Sequence, residues 1–108
     1  MSNVKVLREI DKIKRRIIEK YSPEKIILFG SYAYGRPDHE SDVDFLVVMQ
    51  FKGKAAYKTI EILESVRPSI PVDLIVRTPK QVQRRLAQND FFLHEVFKRG
   101  KVLFEASH

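Results

Sequence analysis

Apolar residues along this chain fall into two patterns, a recurrence every three to four positions and short unbroken runs, and their alternation lays out the elements. Val4, Leu7, Ile10, Ile13, Ile17 and Ile18 stand three or four apart with Lys, Arg, Glu and Asp between them, which predicts an amphipathic helix over residues 4–20. Ser22-Pro23 ends it. The run Ile26-Ile27-Leu28-Phe29 then reads as a buried strand from about Glu24, and Phe45-Leu46-Val47-Val48 as a second, from about Asp42 to Gln50. Between them, Gly30-Ser31 turns sharply, the residues to Gly35 have the length of a short helix, and residues 36–41 form a turn-rich loop.

Ala56, Ile60, Leu63 and Val66 return to helical spacing, and this helix stops before Pro68. Val72-Asp73-Leu74-Ile75-Val76 is a third strand with an acid near its start. Thr78-Pro79-Lys80-Gln81 has the makings of a helix start: Thr as cap, Pro at the first helical position and Gln closing a capping box. Asn89-Asp90 interrupts that helix, Asp90 caps another containing Leu93, Val96 and Phe97, and Gly100 closes it. Residues 101–105 make a last edge strand. This order predicts an α/β (α+β) fold, helices packed on a small mixed β-sheet, in one domain covering residues 1–108.

Composition narrows the function. At 108 residues the chain buries a core but leaves no room for a separate substrate domain, so a bulky substrate has to come with a partner. There are no cysteines, which removes disulfides, thiolate metal sites and cysteine nucleophiles. Neither a signal peptide nor an apolar run of membrane-spanning length stands out, so the cytoplasm is the expected location. The net charge is +6, which raises nucleic acid as a partner. Its distribution argues the other way: residues 1–20 hold seven Lys or Arg against three acids and residues 77–101 seven against two, mostly in helical segments, and neither is a block of like charge interleaved with aromatics. Solvated helix faces are the favoured reading.

The chemistry concentrates where the two buried runs meet the polar loop. Asp42 and Asp44 are two apart, so on one strand they would leave the same face about 6.5 Å apart. Two such carboxylates repel unless a cation lies between them. With the third strand beside the second, Asp73 would join them. Oxygen-only ligands without His or Cys suit Mg²⁺, with Mn²⁺ as the alternative, and two such ions form the clamp of phosphoryl and nucleotidyl transfer. Gly30, lacking a Cβ, lets a phosphate approach the backbone, and Ser31 adds a hydroxyl donor. Asp73 can act as metal ligand, as general base toward an acceptor hydroxyl, or as both.

Gly30-Ser31, ten intervening residues, then Asp42-Val43-Asp44 resembles the G-S-x10-D-x-D signature of the DNA polymerase beta nucleotidyltransferase superfamily. Length makes the chain most similar to the minimal nucleotidyltransferases that pair with HEPN-domain toxins. The likeness covers nearly the whole chain, since Asp73 and the Phe92–Phe104 segment also fall where that family has them. It implies catalytic, metal-binding acids at Asp42, Asp44 and Asp73, and phosphate contacts at Gly30 and Ser31. It also implies an antitoxin that transfers AMP from ATP to a tyrosine of a HEPN ribonuclease. Two other readings stand beside it: a non-catalytic module that neutralises its partner by binding, and a small-molecule (antibiotic) nucleotidyltransferase, for which this basic chain lacks an obvious acidic pocket.

Among the remaining residues, Arg36 can reach a phosphate or simply be solvated, and Gly35 supplies a turn conformation. His39, His94 and His108 have no partner at ligand spacing and read as surface residues. Phe91-Phe92 reads as core before interface, though an apolar patch there could dock a partner helix.

Overall fold

The run from Lys25 to Phe29 forms strand β1 (Lys25–Phe29), buried from Ile26 onward. Burial on both faces is what an unbroken apolar run requires. In the computed structural model, which describes residues 3–35, 37 and 42–107, β1 pairs antiparallel with β2 (Val43–Val48) on one side and with β4 (Lys101–Glu105) on the other. Strand β3 (Val72–Arg77) lies parallel to β2 on its outer side, so the sheet is mixed, with the order β3-β2-β1-β4. The parallel neighbour is reached through a crossover carrying a helix, as parallel pairing demands.

Alternation along the strands sends side chains into two cores. Ile26, Leu28, Val43, Phe45 and Val47 face helices α1 (Asn3–Tyr21) and α3 (Ala55–Val66); Ile27, Phe29, Leu46 and Val48 face α4 (Pro79–Ala87) and α5 (Phe91–Arg99). Helices thus cover both faces of the sheet. Phe45 is fully buried in the first core, and Phe45→Ala is expected to cost about 3 to 5 kcal/mol, read from the midpoint of urea denaturation.

Local chemistry sets the helix starts as the sequence predicts. Thr78 accepts from the Gln81 N–H at 3.1 Å while the Gln81 side chain accepts from the Thr78 N–H at 2.9 Å, completing the capping box. Asp90 accepts from the Leu93 N–H at 3.0 Å and starts α5. Gly100 ends α5, but in extended conformation rather than the left-handed one expected of a closing glycine. Its requirement is space: a Cβ there would meet the Val96 carbonyl, the Ile27 side chain at 2.7 Å and the Leu28 carbonyl at 3.0 Å.

Three expectations about faces are corrected. The core side of α1 is Val6, Ile10, Ile13 and Ile17, whereas Val4 and Leu7 are exposed. Two apolar stripes overlap at the start of this helix, and the position of the sheet selects the other one. Glu9 is buried on that selected side. Burial raises its carboxyl, but Lys12 at 2.9 Å and the Ser69 N–H at 2.8 Å outweigh this and hold it below the ordinary range. In α3, Ile62 and Val66 enter the core while Ile60 is exposed. The third correction is the phenylalanine pair: Phe91 is 79% exposed and Phe92 46%, although the Phe92 ring still meets Phe29 edge to face at 5.4 Å. Among the described residues, no helix is long and apolar enough to cross a membrane.

Candidate functional site

Three strands meet at Asp44. It is the second residue of β2, directly opposite Phe29 of β1 on one side and Asp73 of β3 on the other. Val43 and Phe45 point into the first core, so Asp44 takes the face of Leu46 and Val48; on β3, Asp73 takes the matching face with Ile75. The two acids are in register on neighbouring strands, about 4.8 Å apart in backbone spacing. The third-strand pairing inferred from the sequence is therefore the one observed.

Asp42 differs from its expected setting. Strand β2 begins at Val43, so Asp42 stands one residue before it, exposed at the mouth of the loop rather than on the pleat. Its charge still reaches Asp44. Partial burial pushes the Asp44 carboxyl up from its ordinary 3.8 to about 6, and the negative charges of Asp73 and then Asp42 add to the rise. Among the described residues, none of the three acids is in an ion pair with Lys or Arg.

Gly30 occupies the other side of Asp44. Its backbone sits at φ 75° and ψ −160°, a conformation open only to glycine, and an added Cβ would collide with the Asp44 carboxylate. The missing side chain therefore first makes room for Asp44, a reason that spacing alone does not reveal. The Gly30 carbonyl accepts from the N–H groups of Ala33 and Tyr34, each at 3.0 Å, closing the single turn α2 (Ser31–Tyr34). Gly35, at φ 81°, ends this turn and donates to the Ser31 carbonyl, which is the turn role expected of it. Ser31 is thus held at the strand end beside Gly30 and Asp44.

Asp44, Asp73, Gly30 and Ser31 are accordingly brought to one end of the sheet, with Asp42 at its rim. The expected phosphate contact Arg36, together with His39 and His108, lies outside the described residues. His94 is on the surface, its Nε2 3.0 Å from the Leu86 carbonyl. One residue that sequence reasoning missed reaches this end as well: the Arg99 guanidinium lies over the Tyr34 ring, 4.1 Å from its centre. Its spacing from the motif carries no signal, because a helix and a strand register place it there.

The donor set fits a divalent cation by its chemistry, since it is all carboxylate, negatively crowded and without a neutralising base among the described residues. As they stand, no three described acids or histidines form a group arranged to hold a metal ion. A separate cleft of about 220 Å³ opens at the opposite end of the sheet, lined by Lys25, Val48, Val82 and Phe97 among others, and none of the acids reaches it.

The chain is similar to known proteins in sequence and in fold. Residues 10–101 match the family model of the nucleotidyltransferase domain. Two proteins of Methanocaldococcus jannaschii, both provisionally named protein adenylyltransferases, are similar in sequence. MJ1379 is 35% identical over 82 residues, covering 68% of this chain and 81% of its own length. MJ0141 is 33% identical over 76 residues, covering 70% and 76%. A crystal structure from Sulfolobus solfataricus, provisionally described as a nucleotidyltransferase, superposes with a TM-score of 0.67 at 20% identity. It covers 94% of this chain and 82% of the other, a likeness of fold.

Proposed function

The chain belongs to the nucleotidyltransferase domain family and is a nucleotidyltransferase, and from that premise we propose that it moves AMP from ATP onto a tyrosine of a partner HEPN ribonuclease. The observation that carries the chemistry is Asp44 set in register with Asp73 and against the side-chain-free Gly30. The names of the M. jannaschii relatives support AMP as the group and a protein as the acceptor. The HEPN partner and the tyrosine rest on the resemblance to the minimal nucleotidyltransferases.

In this reading Asp42, Asp44 and Asp73 would hold Mg²⁺ or Mn²⁺, as one ion or two. A bound ion supplies charge for the triphosphate and lowers the pKa of the attacking hydroxyl. The chain's own residues do the rest. The Gly30 backbone and the Ser31 hydroxyl seat the phosphates beside Asp44. Asp73, the outermost of the three and exposed, faces the acceptor and takes the hydroxyl proton as the tyrosine oxygen bonds to the α-phosphorus. The bond from that phosphorus to the bridging oxygen breaks, and its electron pair leaves on pyrophosphate. The products are the adenylylated tyrosine and pyrophosphate.

The test is transfer of α-phosphate label from ATP, in Mg²⁺, to a purified HEPN-domain ribonuclease incubated with the chain. Label on a tyrosine with wild type, and none with the Asp42→Ala, Asp44→Ala double variant, is the expected result. Absence of label with wild type sinks the proposal. One observation favours a second reading, neutralisation by occlusion: Phe91 stands 79% exposed next to a half-exposed Phe92, an apolar surface suited to a partner. If the double variant silences the ribonuclease as fully as wild type does, occlusion replaces transfer.

A further inference from the structure

We infer that Arg99 is a substrate-contacting residue of this site, holding the leaving pyrophosphate end of the triphosphate; the inference rests on the nucleotidyl-transfer reading above. The argument begins with the lateral order at the active end of the sheet. Asp73 of β3 comes first, then Asp44 of β2, then Gly30 at the end of β1. Strand β4, on the far side of β1, starts level with Leu28, where Lys101 is paired. Beyond that point the sheet has no fourth strand. The chain leaving α5 fills the position, with Gly100 seated against Ile27 and Leu28 and Arg99 against Tyr34 of α2. Gly30 therefore has Asp44 on one side, and on the β4 side Arg99 covers Tyr34, the last residue of the turn that follows Gly30.

That order assigns ends to an extended polyphosphate. In an in-line displacement the attacking oxygen and the leaving oxygen lie on opposite sides of the α-phosphorus. With the acceptor at the Asp73 edge, the leaving group points across Gly30-Ser31 toward Arg99. Acids gather at the end where a cation is needed, and a guanidinium stands at the end where negative charge accumulates as the bond breaks. Donors placed in advance where charge develops are the groups that accelerate such a step.

The state of Arg99 suits this task. Contact with the Tyr34 ring, 4.1 Å from its centre, positions the guanidinium at the turn, and its planar fork of N–H donors is the group that matches phosphate oxygens in pairs. Its one ion pair among the described residues, with Glu95 at 3.5 Å, is between half-exposed partners one helical turn apart, at 54% and 34% exposure. Such a pair is readily exchanged for a stronger anion. Exposure also means that replacing Arg99 leaves the core intact.

Calorimetric titration with inorganic pyrophosphate, ATP and AMP, each in Mg²⁺, tests the assignment on wild type, Arg99→Met and Arg99→Lys. Arg99→Met should weaken pyrophosphate at least tenfold and leave AMP within twofold, since AMP lacks the leaving end. Arg99→Lys should recover part of the pyrophosphate affinity, because it restores charge without the planar fork. In transfer assays kcat/KM should fall ten- to a hundredfold in Arg99→Met. Unchanged pyrophosphate affinity in Arg99→Met overturns the inference while leaving nucleotidyl transfer standing. An equal loss of AMP and pyrophosphate also overturns it, by showing that Arg99 merely supports the fold of the turn. A wild-type chain that binds neither ATP nor pyrophosphate overturns the inference and the reading beneath it together.

Discussion

Replacing Asp44 by asparagine will remove nucleotidyl transfer and at the same time make the metal-free protein more stable at neutral pH. Losing the central carboxylate of the cluster should lower kcat/KM by on the order of a thousandfold or more, measured by release of pyrophosphate. The stability change has the opposite sign because Asp44 is under strain of charge. Burial, with Asp73 and Asp42 beside it, pushes its carboxyl up to about 6 from 3.8. A carboxyl raised in this way binds its proton more readily in the folded chain than in the unfolded one. Its charge therefore destabilises the fold above pH 6, and the penalty fades as pH falls through 6 toward 3.8. In chelator, Asp44→Asn should gain about 1 to 2 kcal/mol at pH 8, allowing for partial exposure, and nothing near pH 4. Thermal unfolding at the two pH values checks it; an equal melting temperature for variant and wild type at pH 8 contradicts the crowded cluster.

Gly30→Ala is expected to damage both fold and site. Alanine at φ 75° and ψ −160° is strained by about 1 to 3 kcal/mol, and its methyl group must also displace the Asp44 carboxylate. Displacing that carboxylate by even an ångström misplaces the cluster, so activity should fall about a hundredfold. Denaturant midpoints and kcat/KM report the two effects separately. The double variant Gly30→Ala, Asp44→Ala should be more stable than Gly30→Ala alone, because removing the carboxylate removes the collision, while activity stays lost. Strict additivity of the two stability changes would mean that the glycine answers to backbone conformation only.

Much of this site is legible in one dimension because its parts are either contiguous or tied to strong local signals. Gly30 and Ser31 terminate a run of buried residues, Asp42 and Asp44 precede another, and Thr78 and Asp90 announce helix starts by side-chain chemistry that acts within four residues. What was misread depends on choices between equivalent local patterns. Helix α1 offers a Val4-Leu7 stripe and a Val6-Ile10 stripe, and periodicity favours neither; the sheet takes the second. Phe91 has the hydrophobicity of a core residue, yet it stands at the exposed start of α5, where Leu93 and Val96 already fill the interface with β1 and β2.

The unbroken apolar runs, the acids at the strand starts and the glycine between them are properties of the chain itself, and they set a sheet with a charged end. Tertiary structure alone decided which groups share that end. Parallel pairing put Asp73 level with Asp44, the close approach of Asp44 explained why residue 30 has no side chain, and the short reach of β4 brought Arg99 to the turn. Each is a contact between residues far apart in sequence, fixed by strand register and layer packing, and no periodicity along the chain encodes it.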